Sequence, residues 1–313
     1  MLLAARTGNI NRKGNVSAHS PLQNRAVCAI HPGNYVRRHP VPHTLALNPS
    51  TATDTGMMAA ALKNLPVVLD LKYGLPDRQG PDPRLRRRFG YATPDDLYET
   101  LVYSLVDAST KWLDVGCGRS MFPANPAVAE LLAKRCSLLV GIDPSDNIRE
   151  NPLLHEAHQC TLERCVARHP FGLITLRMVA EHITDPHSAV AALARLSAPR
   201  ALVVIYTVSK WSPAAVLAAL TPLAFHHKAK KFLWHTDESD TFPTEYRMNS
   251  RRTLRDLFHS HGFREESFDR PDDCRSLARF YSLQVLELSA WKLLRPLGLR
   301  YPDSCILATY RKS

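Results

Sequence analysis

The stretch KWLDVGCGRS, residues 111–120, constrains the fold of this chain more than any other. An apolar run ends in Asp114 and passes at once into a turn carrying Gly116 and Gly118. Glycine has no Cβ, so it turns the chain sharply and lets a ligand lie against bare backbone. A second apolar run, SLLVGID (137–143), follows and ends in another acid, Asp143. Strand, glycine turn, helix, strand and acid is the order in which α/β folds grip a nucleoside cofactor. The second acid then accepts hydrogen bonds from ribose hydroxyls.

The turn also excludes the commonest cofactors. A dinucleotide loop has a third glycine where Met121 stands, because pyrophosphate must seat against a helix N-terminus. No Gly-Lys-Ser/Thr follows, so the turn is not a P-loop. A cofactor without phosphate fits better. LDVGCG resembles motif I of the class I S-adenosylmethionine-dependent methyltransferases, and VGID resembles their acidic second motif. FGLITLRMVAEHITDP (171–186) is similar to that family's fourth strand and the start of the next helix. ALVVIYT (201–207) is similar to the fifth strand and CILATY (305–310) to the last. The likeness is strong over residues 88–208 and points to the small-molecule, type 11/12-like branch, where Phe-Asp-Leu-Val…Leu-Glu-His is common; Gly172 replaces the usual Asp. Relatives that methylate base amines carry Asn/Asp-Pro-Pro-Tyr/Phe after strand four, where this chain has LRMVAEH.

The resemblance implies an α/β, Rossmann-like, doubly wound and mostly parallel seven-stranded sheet with helical insertions, and S-adenosyl-L-methionine as cofactor. It implies cofactor-binding roles for Asp114, Gly116, Cys117, Gly118 and Asp143. The adenine contact falls at Thr161 or its neighbour Cys160, with Leu162 beside them. Ser120 stands where the family has a third small residue. Asn125 reads as an N-cap and Pro126 as the first helical residue, so Ser120–Ala124 form extra loop. That delay sets Asp143 further beyond the glycines than the ~20 residues usual in such folds.

Thr93-Pro-Asp-Asp opens a helix, with Leu97, Leu101, Leu105, Val102 and Val106 on one stripe to about residue 108. Asp185-Pro186 and Ser212-Pro213 open two more. Strands at 111–115, 137–142, 171–176 and 201–207 alternate with helices, which requires parallel crossovers. Ligands in such sheets sit outside the carboxyl ends of the strands, so Asp114, Asp143, Arg177 and Thr207 share one rim.

Residues 1–60 lack apolar periodicity and read as a disordered extension or one ahead of the true start, with Met57 or Met58 beginning a compact domain. Residues 61–313 then form the methyltransferase domain, with insertions at about 209–250 and 270–303. A helix over 251–261 ends at Gly262, and a strand lies near 264–268. The first insertion carries a helix, the basic HHKAKK (226–231) and FLWHTDESDTFPTEYRMN; the second carries the nearly all-round apolar LARFYSLQVLELSAWKLLRPL. A helix of that kind is buried or covers something. The two insertions are expected to pack together as a lid over the substrate, with a dimer face or a membrane contact as alternatives.

Methyl transfer from a sulfonium asks mainly for alignment and a dry site. A hydroxyl acceptor needs a base, and histidine is the commonest choice. His182, just beyond the fourth strand, is the candidate base, unless Glu-His only orients the helix start. Arg177 pairs with the cofactor carboxylate or an acidic substrate, or is a surface arginine. His235, Tyr246 and Arg247, with Asp237 and Asn249, are candidates for an acceptor pocket, against a solvated loop. The expected acceptor is a small molecule or a glycan or lipid precursor, methylated at oxygen.

The net charge of +11 raises nucleic acid as a partner. Six basic residues against only Asp54 lie within 1–60, so the charge is partly a property of that tail and nucleic acid is disfavoured. The remaining alternatives are a non-catalytic scaffold, against which the retained Asp114, Gly116, Gly118 and Asp143 speak, and an RNA-directed methyltransferase, which rests on charge alone. ALVVIYTV, the longest apolar run, is far short of the ~20 residues of a membrane span, though peripheral contact is open. MLLAARTGNINRK does not read as a secretory signal. The seven scattered cysteines form no C-x-x-C pair, so neither a disulfide framework nor a zinc site is indicated. A cytoplasmic monomer or homodimer is expected.

Overall fold

Four helices precede the first strand among the described residues, the first three short: α1 (Thr55–Ala61), α2 (Leu65–Tyr73) and α3 (Pro81–Phe89). The structure, a computed structural model, describes residues 55–212, 243–302 and 304–313. Most of the proposed 1–60 extension, the Ser212-Pro213 helix start, the basic cluster 226–231 and the lid packing of the first insertion therefore fall outside the described residues. Residues 55–60 do not belong with an extension. Met58 and Ala61 are buried in the core, on the same layer as Val68 of α2, so the folded part takes in α1.

Helix α4 (Pro94–Leu105) starts where its residues dictate. The Thr93 hydroxyl accepts the Asp96 N–H at 3.1 Å, and the Asp96 carboxylate accepts the Thr93 N–H at 2.9 Å, a reciprocal cap ahead of Pro94. Asp96 and Glu99 also hold the Lys72 ammonium at 2.9 Å each, tying α2 to α4. Asn125 caps α5 (Pro126–Arg135) through the Val128 N–H and donates its amide to Glu99 at 2.8 Å. The late helix start after the glycines is thus held by a buried polar network. In the extra loop, Met121 and Phe122 are buried against Tyr98 and Trp112 rather than facing a ligand.

Seven strands follow: β1 (Lys111–Val115), β2 (Leu138–Ile142), β3 (Glu156–His158), β4 (Phe171–Arg177), β5 (Ser197–Val208), β6 (Phe263–Asp269) and β7 (Cys305–Lys312). They form one sheet in the order β3-β2-β1-β4-β5-β7-β6. All pairs are parallel except the two made by β7, which runs against β5 and β6. The doubly wound, mostly parallel, seven-stranded sheet read from the sequence is present. Period-2 alternation sorts its side chains. Leu113, Val140, Ile174, Val203 and Ile306 pack with α6 (Pro186–Leu196) and α7 (Arg251–Ser260). Trp112, Leu139, Leu173, Val204 and Leu307 pack with α1, α2, α4 and α5.

The second insertion carries α8 (Tyr281–Leu294), which starts four residues later than the apolar run suggests. The Glu287 carboxylate accepts the Leu277 N–H at 3.1 Å and fixes a turn ahead of it. Trp291 and Leu288 of α8 pack on Leu85 of α3 and on Tyr91, whose ring meets Trp291 edge-on at 5.1 Å. Among the described residues, no helix is long and apolar enough to cross a membrane.

Candidate functional site

The strand order reverses between β1 and β4, which makes the carboxyl ends of these strands the switch point where α/β sheets bind ligands. The glycine turn sits there. Gly116 has φ +69°, and a Cβ on it would meet Val179 Cγ2 at 2.3 Å, so the turn passes hard against the segment after β4. Gly118 has φ +46°, but a Cβ there would meet nothing within 4 Å. The first glycine is required by packing, whereas the second presents its backbone to open space.

Asp143 closes the other side. One carboxylate oxygen accepts the Gly118 N–H at 3.0 Å and the other the Ser145 N–H at 2.8 Å. Asp114 lies below, 3 % exposed. Trp112 Nε1 donates to Thr175 Oγ1 at 2.7 Å, and Thr175 Oγ1 donates to Asp114 Oδ1 at 2.6 Å. Burial pushes the Asp114 carboxyl up to about 7, while the Thr175 hydroxyl and the Arg177 charge pull the other way. Cys117 is buried, its sulfur 2.6 Å from where a Cβ on Gly141 would sit, and burial raises its thiol. Its side chain is packing, so only its backbone faces the turn. Leu162 is likewise buried in the core, whereas Thr161 is exposed on the loop after β3 beside the half-buried Cys160. This geometry fits a nucleoside with a cationic tail: an open glycine backbone, a carboxylate at the ribose position and a second carboxylate sunk beneath the turn.

Beyond β4 a second set of polar groups assembles. Arg177 is neither a surface arginine nor loose. Its Nη2 donates to Asp95 at 2.7 Å, with its side chain 25 % exposed. Asp95 also pairs with Arg275, which forks onto Asp273 at 2.6 and 2.7 Å. Burial alone would raise the Asp95 carboxyl, but Arg177 and Arg275 together bring it down to about 2. Arg177 Nε is buried without a hydrogen-bond partner among the described residues, and the fully buried rings of Tyr98 and Tyr206 stack at 5.1 Å.

Glu181 is buried and accepts the Thr207 hydroxyl at 2.6 Å, and Asn249 donates to that hydroxyl at 2.8 Å. Burial raises the Glu181 carboxyl. Its backbone carbonyl accepts the N–H groups of Glu245 and Tyr246 at 2.7 and 3.2 Å. The segment 243–249 is thereby clamped onto the turn after β4. His182 Nδ1 contacts the Pro243 carbonyl at 2.9 Å. A carbonyl only accepts, so Nδ1 carries the proton and the neutral ring has its lone pair on Nε2. Tyr246 is half-buried with φ 52°, and Met178, next to Arg177, has φ 53°. Both are left-handed backbone positions costly for such residues, and both lie at the rim. Arg247 is exposed and held by Thr184 and Glu245. Asn249 is buried and structural rather than lining a pocket. His235 and Asp237 lie outside the described residues.

The sequence brought out the glycine turn, both acids, Arg177 and His182. It did not bring out Thr175, Asp95, Glu181 as an anchor, or the Arg275–Asp273 fork. Asp95 carried a local signal, an acid in the first turn of α4, but that signal was absorbed by helix capping.

Strand order, glycine turn and paired acids define the fold of a class I S-adenosylmethionine-dependent methyltransferase. A methyltransferase-domain family model matches residues 84–267, more than half the chain, and the chain belongs to that family. Its curated relatives include the ubiquinone biosynthesis O-methyltransferase of Saccharophagus degradans, 31 % identical over 123 residues, 36 % of this chain and 49 % of that protein. The Leptothrix cholodnii protein of the same name is 27 % identical over 163 residues, 49 % of this chain and 66 % of that protein. The chain spans about half the length of the first curated relatives it matches. The solved N-methyltransferase NodS from Bradyrhizobium japonicum WM9 in complex with S-adenosyl-l-homocysteine is 15 % identical. That alignment covers 80 % of this chain and 98 % of that one, with TM-score 0.40.

Proposed function

We propose that the chain moves a methyl group from S-adenosyl-L-methionine to an oxygen of a small-molecule, glycan or lipid-precursor acceptor, with His182 as the base. When bound, the cofactor supplies an electrophilic methyl on a sulfonium. Gly118 and Asp143 would hold its nucleoside end, with Thr161 or Cys160 near the base. Asp114 would offer a negative charge beneath its cationic amino-acid end. Arg177, held by Asp95, would face an anionic group of acceptor or cofactor. Tyr246 and Arg247, tied to the backbone of Glu181 and Thr184 on either side of His182, would contact the acceptor.

The observation that carries this reading is the anchoring of His182. Its Nδ1–H is tied to the Pro243 carbonyl, so Nε2 is the nitrogen able to take a proton. His182 Nε2 would take the proton that an acceptor hydroxyl gives up on methylation and pass it to solvent. The curated relatives' names, which specify O-methyl transfer, support oxygen as the acceptor atom.

The test is transfer of labelled methyl into fractionated cell extract, comparing wild type with His182→Gln. Labelled O-methyl product is expected from wild type. His182→Gln should transfer about 10²–10⁴-fold more slowly with cofactor affinity intact. A full rate in the variant sinks the base, and label on nitrogen or carbon sinks the oxygen acceptor.

A further inference from the structure

Helix α8 is apolar on both of its faces. It buries Leu288 and Trp291, with Gln284 and Glu287 beside them, and leaves Leu283, Leu286 and Leu293 in solvent. The inward polar groups are largely matched, Gln284 Oε1 being buried without a partner among the described residues. Gln284 Nε2 donates to the Cys274 carbonyl at 3.1 Å, Tyr301 donates to Glu287 at 2.7 Å, and Trp291 Nε1 donates to Asp272 at 2.9 Å. Outward, Leu286 is 64 %, Leu293 69 % and Leu297 70 % exposed, with Tyr281 and Leu283 further along the same helix. Leu283, Leu286, Ala290, Leu293 and Leu297 recur at alternating steps of three and four, one continuous stripe along a helix. Most of the large hydrophobic side chains exposed among the described residues lie in this one segment. A stripe like this marks an interaction face.

Charge decides what it meets. Across residues 276–302 the one acid is Glu287, which is buried, while Arg279, Lys292, Arg295 and Arg300 are basic. Helix α3, packed alongside, adds Arg84, Arg87 and Arg88 on its exposed side, with Asp82 the one acid of its sequence. Arg84 and Arg88 flank Tyr281 in the groove between the two helices. A second copy of the chain paired through this stripe would set these cations against their own counterparts, since a two-fold interface is self-complementary. A surface that is both apolar and anionic satisfies leucines and arginines together.

We propose that α8 and the arginines of α3 form a docking face for an anionic lipid bilayer. The leucine stripe enters the boundary between headgroups and acyl chains, and the arginines meet lipid phosphates. The same segment reaches the candidate site, because Arg275 pairs with Asp95 beside Arg177. Docking therefore holds the rim close to the lipid surface. The proposal stands whether or not His182 is the base.

Co-sedimentation of the full chain with vesicles tests it. Vesicles of equimolar phosphatidylglycerol and phosphatidylcholine should carry the protein down, and pure phosphatidylcholine should carry far less. Leu286→Glu with Leu293→Glu should weaken binding at least about tenfold. Arg84→Gln with Arg88→Gln should weaken it by about fivefold for each charge removed. Both variants should bind S-adenosyl-L-methionine as wild type does, which separates loss of docking from loss of the fold. Sedimentation indifferent to lipid charge, or to both double substitutions, overturns the proposal. So does a wild-type dimer that fails to sediment and that Leu286→Glu with Leu293→Glu disperses; the face then belongs to a second copy. Absence of both sedimentation and dimer overturns it too.

Discussion

Replacing Thr175 by valine should move the pH at which the chain releases its cofactor. The change is nearly isosteric and sits in a fully buried position. It deletes the hydroxyl that donates to Asp114 at 2.6 Å and accepts from Trp112 at 2.7 Å. Asp114 already titrates at about 7, because burial outweighs that hydrogen bond and the Arg177 charge. A hydrogen bond to a charged group is worth about 1.5–3 kcal/mol, and 1.36 kcal/mol corresponds to one pH unit. The titration should therefore rise by roughly one to two pH units in Thr175→Val. Calorimetric titration with S-adenosyl-L-methionine from acid to mildly alkaline pH reads this directly. Wild-type affinity should fall as pH drops through about 7. In Thr175→Val the fall should begin at distinctly higher pH, Thr175→Ser should restore the wild-type profile, and Asp114→Asn should bind weakly without this transition.

The unliganded protein should show the opposite pH trend. A carboxyl raised from 3.8 to about 7 in the fold contributes stability that is fully present below pH 3.8 and lost as pH rises through about 7. The integrated effect is on the order of 4 kcal/mol. Asp114→Asn should thus melt higher than wild type at alkaline pH and lose most of that advantage in acid. An identical binding profile in Thr175→Val and wild type, or a transition that survives in Asp114→Asn, would refute the chain of reasoning from Trp112 to the cofactor.

Other substitutions probe the remaining rim. Gly116→Ala places a methyl 2.3 Å from Val179 Cγ2 at φ +69° and should destabilise by roughly 1–3 kcal/mol, with cofactor binding lost, measured by denaturant melts and titration. Asp95→Asn leaves the half-buried Arg177 and Arg275 without their shared anion and should destabilise near neutral pH by less than the ~3–5 kcal/mol of a fully buried pair. Because the Asp95 carboxyl is lowered to about 2, that cost should persist until acid approaches this value, and a variant as stable as wild type at pH 7 would contradict it. Glu181→Gln keeps an acceptor for Thr207 and removes a charge that burial opposes. Its melting temperature should exceed that of wild type above neutrality and converge in acid, and a uniform loss at all pH values would count against this view.

What could be read from the sequence was local, and what could not was set by packing at a distance. Thr93, Asn125 and Asp185 announce helix starts because a cap and a following proline act within a few residues. The glycine turn is legible for the same reason. Strand β3 was invisible, since Glu156, Ala157 and His158 are all exposed on a sheet edge and show no apolar alternation. Arg275 meets Asp95 across 180 residues of chain, so no spacing could pair them. Helix α8 was legible only in part. Its nearly all-round apolar composition indicates a helix that is buried or covers something, and it buries Leu288 and Trp291 beside Gln284 and Glu287 while leaving Leu283, Leu286 and Leu293 exposed. Composition could not say which side faces the core, because Glu287 and Gln284 are drawn inward by backbone and tyrosine partners that only the folded insertion supplies.

The rim thus has two halves held by different means. The donor half is a backbone device: two left-handed glycines, a carboxylate against an N–H, and a buried acid on a hydroxyl relay. The other half, where the acceptor is proposed to bind, is tied by longer-range contacts: the Glu181 carbonyl clamps residues 243–249 onto the turn after β4, and an Asp–Arg fork ties the second insertion to Arg177. Loss of a backbone device removes cofactor binding outright, whereas loss of an ion-pair fork leaves the turn intact. Asp273→Asn should therefore retain S-adenosyl-L-methionine affinity and lose transfer, because Arg275 would keep Asp95 but lose the partner that orients it. Equal losses of binding and transfer in that variant would show that the halves are one cooperative unit.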